Sequence, residues 1–201
     1  MDLAFREQFG LENGFAKVEF SGRTDTAILR DALRIHAIDG DFPKLLERFK
    51  EAYFRHLEET LPAKKGNLLP GVDRLLEELS KRDDVLLGLA TGNFHRGAEL
   101  KLNHYQILHY FRDGGFGDDY DDRAQIVRLA ASRLVGALEG HHRVVVIGDT
   151  PYDVASARAY GAVAVGVATG KYNVDSLSSS GADIVLPDFS DHRAAITTLV
   201  G

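Results

Sequence analysis

Val144-Val145-Val146-Ile147-Gly148-Asp149-Thr150-Pro151-Tyr152-Asp153 is the stretch whose reading decides the fold. Four β-branched apolar residues in succession read as a buried strand of a parallel sheet, ended by a glycine. Open α/β sheets bind ligands beyond the carboxyl ends of such strands, so this run delivers Asp149 and, four residues on, Asp153 to that crevice. Two carboxylates there suit a hard cation such as Mg²⁺, which takes one or two protein oxygens plus water and phosphate. A plain strand-to-helix turn, with Asp149 as cap and Asp153 in solvent, would give the same letters, and a lone Gly-Asp pair does not separate the two.

A second strand is built the same way: Val85-Leu86-Leu87-Gly88-Leu89-Ala90, followed by Thr91-Gly92-Asn93. Thr91 offers a hydroxyl, and the amides of Gly92 and Asn93 fall where a helix begins and its positive dipole end favours phosphate. A ligand-free Thr or Asn cap is the alternative. Between the two strands, Gly114-Gly115-Phe116-Gly117-Asp118-Asp119-Tyr120-Asp121-Asp122-Arg123 turns into a helix that carries Arg123 in its first turn. A cation there opposes the macrodipole, which a bound anion would explain; pairing of Arg123 with the acidic run is the simpler account.

Taken together and in this order, Thr91, Arg123 and Gly148-Asp149-Thr150-Pro151-Tyr152-Asp153 resemble three of the four motifs of the haloacid dehalogenase superfamily of hydrolases. Asn93-Phe94-His95-Arg96-Gly97-Ala98, Tyr110-Phe111, Phe116-Gly117-Asp118-Asp119 and Gly22-Arg23-Thr24-Asp25 resemble its phosphoglycolate-phosphatase-like branch. The resemblance covers nearly the whole chain. It implies an α/β fold, a Rossmann-like parallel sheet core with an α-helical cap. It also implies that Thr91, with Gly92 and Asn93, binds the phosphoryl group, that Arg123 takes the basic position more often held by lysine, and that Asp149 ligates Mg²⁺ with Asp153 supporting the same site. Donors, a cation and a metal are what the charge developing in phosphoryl transfer requires. Arg123 stays charged at any working pH and can engage two oxygens at once.

The fourth motif, an aspartate nucleophile ending a first strand with a second aspartate two residues on, is absent. Asp39-Gly40-Asp41 matches it in letters only, because Arg34-Ile35-His36-Ala37-Ile38 before it continues a helix. In the family that strand lies mid-sheet, between the strands ending at Thr91 and Asp149, so two inner edges should be left unpaired. Each unsatisfied buried backbone group costs roughly 1 to 3 kcal/mol, against the about 5 to 15 kcal/mol that stabilises a typical domain. Open edges also invite partner strands. Met1, Ala4, Phe5 and Phe9 form one helical stripe with Gly10 as its carboxyl cap, no capping residue precedes Met1, and Met1 is the only methionine. The expectation is that Met1 is an internal methionine, with about 20 residues bearing the nucleophile strand upstream, a length set by usual strand and loop sizes.

The 201 residues, 44% hydrophobic with formal net charge -6, suffice for a core with a smaller insert. The absence of cysteine rules out disulfides, Cys-ligated zinc and a thiol nucleophile, and fits a cytoplasmic location, as does the lack of a signal-peptide pattern. The acidic balance argues against nucleic-acid binding, no run is long enough to span a membrane, and nothing indicates the oligomeric state. Residues 1–66 read as a four-helix-like cap: helices Met1 to Phe9, Asp25 to Ala37 capped by Thr24, and Asp41 to Thr60, with a polar hinge at Ala63-Lys64-Lys65-Gly66-Asn67. Residues 67–201 read as the core: helix 71–82, strand 85–91, helix 95–104, short strand 115–118, helix 122–138, strand 143–149, helix 152–160, then strands 162–168 and 183–186. This alternation demands a parallel sheet with right-handed crossovers.

Arg23 is placed by the resemblance to reach a substrate carboxylate, and a solvated arginine before a cap fits equally. Thr169, before Gly170, reads as structural at the rim of the site. His141-His142 reads as a loop rather than a metal site, and His95 as an exposed first-turn residue. The resemblance implies Mg²⁺-dependent hydrolysis of a small phosphorylated metabolite through an aspartyl-phosphate in a complete protein, with the chain as written inactive. Alternatives are a phosphomutase or pyrophosphatase of the same superfamily, a non-catalytic phosphate-binding or regulatory protein, and an assembly module that pairs its open edges between chains. Dehalogenation is disfavoured by the metal-site pattern.

Overall fold

The computed structural model describes residues 1–136 and 141–201. Three α-helices come first: α1 (Asp2–Phe9), α2 (Asp25–Ile35) and α3 (Phe42–Thr60), the last running into a single 3₁₀ turn. Residues 1–66 thus hold the three helices expected there, with α2 ending two residues earlier than Ala37. Gly10 closes α1 with φ +70°, a left-handed conformation suited to glycine, and its N–H bonds the carbonyl of Arg6. Thr24 caps α2 as expected, its Oγ1 accepting from the Ala27 N–H at 3.1 Å.

The apolar positions of these helices meet in one cluster. Phe5 from α1, Ile28, Leu29, Ala32 and Leu33 from α2, and Phe49, Ala52 and Tyr53 from α3 are all buried, joined by Phe15 and by Phe94 from further along the chain. Phe5 and Phe15 meet edge to face at 5.1 Å, and Phe94 meets Tyr53 at 6.0 Å. Such pairs add about 0.5–1.5 kcal/mol each beyond the area they bury.

The rest alternates helix and strand: α4 (Val72–Ser80), β1 (Gly88–Ala90), α5 (His95–His104), β2 (Asp113–Gly115), α6 (Arg123–Val135), β3 (Val145–Gly148), α7 (Pro151–Tyr160), β4 (Val163–Val167), α8 (Val174–Ser179), β5 (Ile184–Leu186) and α9 (His192–Val200). Strand β1 is shorter than the apolar run suggested, and β2 lies two residues earlier than expected. The expected helix 122–138 runs to Val135, and its last two positions fall outside the described residues. Helices α8 and α9 were not expected. Asn173 and Asp191 cap them through their side chains, but neither helix carries a long enough apolar repeat to stand out.

All strand pairings are parallel, in two separate sheets: β1 with β2, and β3-β4-β5 in that order. Gly114 lies so close to Leu89 that a Cβ there would stand 2.6 Å from the Leu89 carbonyl oxygen, so the β1–β2 register requires glycine. Strand β4 is the buried centre. Ala164 faces Val154 and Ala157 of α7, while Val165 and Val167 face Leu75 and Leu79 of α4 and Ala195 and Leu199 of α9.

Among the described residues no strand pairs with the second edge of β1 or of β3. Ile147, inside the apolar run that reads as buried, is 41% exposed. Helix α6 packs on β1 and β2, α7 packs on β3 and β4, and α6 packs on α7. This helix pair ties the two sheets into one body across the break. Among the described residues no helix is long and apolar enough to cross a membrane.

Candidate active site

The turn from β3 into α7 is a capping box. Thr150 Oγ1 accepts from the Asp153 N–H at 3.3 Å, while Asp153 Oδ2 accepts from the Thr150 N–H at 3.1 Å and from the Thr150 hydroxyl at 2.8 Å. Pro151 fits the first helical position, where a missing N–H costs nothing. The other oxygen of Asp153 accepts from Nη2 of Arg123, which α6 projects from its first turn. Asp153 is thus buried and fully engaged rather than solvated, and Arg123 pairs with it rather than with Asp121 or Asp122. The Nε donor of Arg123 is buried with no partner among the described residues.

Asp149, one residue before the box, is exposed and accepts no side-chain hydrogen bond among the described residues. Its Oδ2 abuts Gly170, where a Cβ would overlap it, so the Thr169-Gly170 turn does lie at the rim. Desolvation, and then the nearby Asp153 charge, raise the Asp149 carboxyl above its ordinary pKa. A carboxylate beside a second one is a place where added positive charge is favourable.

Thr91 stands at the end of β1, its N–H bonded to the Gly115 carbonyl at 3.1 Å. Its Oγ1 accepts twice from Asn93, from the backbone N–H at 3.2 Å and from Nδ2 at 2.9 Å, while Lys101 Nζ from α5 donates to Asn93 Oδ1. The Asn93 amide is therefore spent on Thr91 and does not point outward as the sequence suggested. Gly92 is buried because the chain at Arg23 and Thr24 passes directly over it and leaves no room for a Cβ.

That contact is part of a seam joining α2 to the strand ends. The Asp25 N–H donates to the Gly92 carbonyl at 2.7 Å, the Phe94 N–H donates to Asp25 Oδ2 at 2.9 Å, and the Thr26 hydroxyl donates to the Gly117 carbonyl at 2.7 Å. Lys50 of α3 pairs with Asp118 at 2.7 Å, and Asp118 also accepts from the His95 N–H. Burial raises the pKa of Asp25, against the opposing pull of the Phe94 hydrogen bond and the Lys101 charge. His95 is exposed, as expected, and its ring stacks on Phe116 with centroids 3.9 Å apart.

Two clusters thus form at the strand ends, Asp149-Thr150-Asp153-Arg123 beside β3 and Thr91-Asn93-Lys101 beside β1, and no side-chain hydrogen bond joins them among the described residues. Arg23 is in neither: it pairs with Asp31, eight residues on in α2, which holds the Asp31 carboxyl below its ordinary pKa. A cavity of about 600 Å³ runs from Gly22, Arg23 and Thr24 along Arg30 to Arg123 and Tyr152. Thr91 and Asp149 are not in its wall, so it flanks the strand ends rather than covering them.

The model of the haloacid dehalogenase-like hydrolases matches residues 7–161, a span that holds both clusters. The chain belongs to this family. Within it, the chain is 33% identical over 159 residues to the phosphoglycolate phosphatase of Synechococcus elongatus, covering 78% of this chain and 69% of that one. It is 30% identical over 154 residues to a protein of Dickeya dadantii described as "Probable phosphatase IndB", covering 75% of this chain and 64% of that one. The fold is similar to that of CbbY from Rhodobacter sphaeroides, solved in complex with phosphate, with TM-score 0.65 and 19% identity over 94% of this chain and 86% of that one. Against this haloacid dehalogenase-like frame, sequence reasoning missed Asp25 and Lys101. In the sequence Asp25 stands out only within Gly22-Arg23-Thr24-Asp25 and at the start of a helix, and Lys101 is given no role; only the docking of α2 and α5 on the Gly92–Phe94 loop gives them partners.

Proposed function

We propose that this chain carries the phosphate-binding and Mg²⁺-binding elements of a phosphomonoester hydrolase acting on a small phosphorylated metabolite in the cytoplasm, with residues 1–66 as helical cap and 67–201 as α/β core. The observation that carries the reading is Arg123, held by Asp153 next to the accessible carboxylate of Asp149. A fixed guanidinium with an unspent buried Nε donor and a free carboxylate are complementary to a phosphate and to a divalent cation. Thr91, with Gly92 and Asn93 beside it, presents a hydroxyl to the same anion from the β1 side.

The oxygen donors fit Mg²⁺. Asp149 would hold it and Asp153 would support it from behind, and a bound Mg²⁺ neutralises charge on phosphoryl oxygens. Arg123 neutralises negative charge from its fixed position, and Thr91 donates a hydrogen bond. Arg23 would reach a substrate carboxylate only by leaving Asp31. With no strand among the described residues bringing an aspartate between Thr91 and Asp149, the chain would bind phosphate without turning over an ester.

The experiment is paired: thermal unfolding with inorganic phosphate and MgCl₂, and turnover of p-nitrophenyl phosphate. Stabilisation by phosphate with Mg²⁺, lost in Asp149→Asn, together with no turnover, is expected. Absence of stabilisation would sink the site; turnover would sink the claim of inactivity.

A further inference from the structure

Lys101 is half-buried on α5, and Nζ has one hydrogen-bond partner among the described residues, Oδ1 of Asn93. An ammonium group has donors only, so the atom that Asn93 turns to it must be the oxygen. That choice leaves Nδ2, the donor end of the same amide, facing Thr91 Oγ1 at 2.9 Å. The Asn93 backbone N–H fills the second acceptor position of that hydroxyl at 3.2 Å. A hydroxyl has two lone pairs and one proton. With both lone pairs occupied from the Asn93 side, the Thr91 proton must point away from Asn93, and Thr91 Oγ1 donates to no acceptor among the described residues.

We propose that Lys101 is a positioning residue: by fixing the orientation of the Asn93 amide it makes the Thr91 hydroxyl an obligate donor aimed out of the loop, the arrangement an anion requires. The inference rests on the reading of Thr91 as a phosphate ligand and adds what sets its polarity. Without Lys101 the amide is free to flip, and Oδ1 would then face Thr91 and accept its proton, turning the donor inward. Burial lowers the Lys101 pKa, and the charge of Asp25 opposes that shift. Asp25 itself is placed by the Phe94 N–H, so the Lys101 environment is built from α2, α5 and the loop between β1 and α5.

The test compares wild type, Lys101→Met and Lys101→Gln in two measurements. One is the affinity for inorganic phosphate with MgCl₂ by calorimetry. The other is the Asn93 side-chain amide resonance in ¹⁵N-Asn-labelled protein. Methionine fills the space without a donor, whereas glutamine restores a donor to Asn93 Oδ1 without the charge. The expected result is a phosphate affinity about tenfold weaker in Lys101→Met, the scale of one hydrogen bond redirected, with the Asn93 amide signal displaced. In Lys101→Gln both should return most of the way to wild type. Equal affinity in wild type and Lys101→Met, or an unmoved Asn93 signal, overturns the inference while leaving the phosphate site standing. Loss of affinity in Lys101→Gln as large as in Lys101→Met, with the Asn93 signal at its wild-type position, also overturns it, because charge alone would then account for the effect. Failure of the wild type to bind phosphate overturns the site reading and the inference with it. Should Lys101→Met not fold, the Lys101→Gln comparison with wild type still decides: an Asn93 signal displaced from its wild-type position, with affinity unchanged, rejects the role.

Discussion

Arg123 donates from Nη2 to Oδ1 of Asp153, whose other oxygen already accepts two hydrogen bonds from Thr150. One carboxylate therefore caps α7, fixes the turn after β3 and holds the cation of α6. Removing it should act on all three. Asp153→Ala loses a capping box and leaves Arg123 uncompensated, at a cost of about 2–4 kcal/mol for a partly buried pair and cap. Denaturant unfolding should show that loss, and Asp153→Asn, which keeps an acceptor for Thr150, should lose less than half as much.

Asp25 gives a pH signature. Its folded-state pKa is raised, so the folded protein holds the proton more tightly than the unfolded chain does. The corresponding stability is complete below the ordinary carboxylate value of about 4 and is lost as pH rises through the elevated folded value. Asp25→Asn keeps an acceptor for the Phe94 N–H and removes the titration. The Tm of Asp25→Asn should gain on wild type as pH is raised from about 4 to 7; a constant difference across that range would refute the assignment.

Gly92 lies under the backbone at Arg23 and Thr24. Gly92→Ala must push α2 off the loop or strain it, at a cost of about 1–3 kcal/mol as for other overpacked sites. Hydrogen exchange at Asp25 and Phe94, whose amides cross this seam, should accelerate more than exchange in β4.

The edges of β1 and β3, unpaired among the described residues, predict self-association. Light scattering across a concentration series should show oligomers or aggregates growing with concentration, and Ile147→Lys, a charge on the exposed edge, should reduce them. A monodisperse monomer at all concentrations would show that the edges are protected.

The sequence by itself determined the class of fold and the order of its functional elements. Runs such as Val144–Ile147 and Ala162–Val167 read as strands of a parallel sheet covered by helices from periodicity and glycine punctuation alone, although Ile147 turns out exposed. The caps were legible for the same local reason: Thr24 and Gly10 act within a few residues of themselves. Partners were not legible. Arg123 could have paired with Asp121, Asp122, Asp153 or an anion, and the packing of α6 on α7 chose Asp153. Asp25 and Lys101 are chemically ordinary until two helices dock on one loop and take them out of water. Local structure is set by neighbours in the chain, but which charge meets which hydroxyl depends on contacts between segments far apart in sequence. The tertiary fold, through burial and hydrogen-bond geometry, decides those contacts.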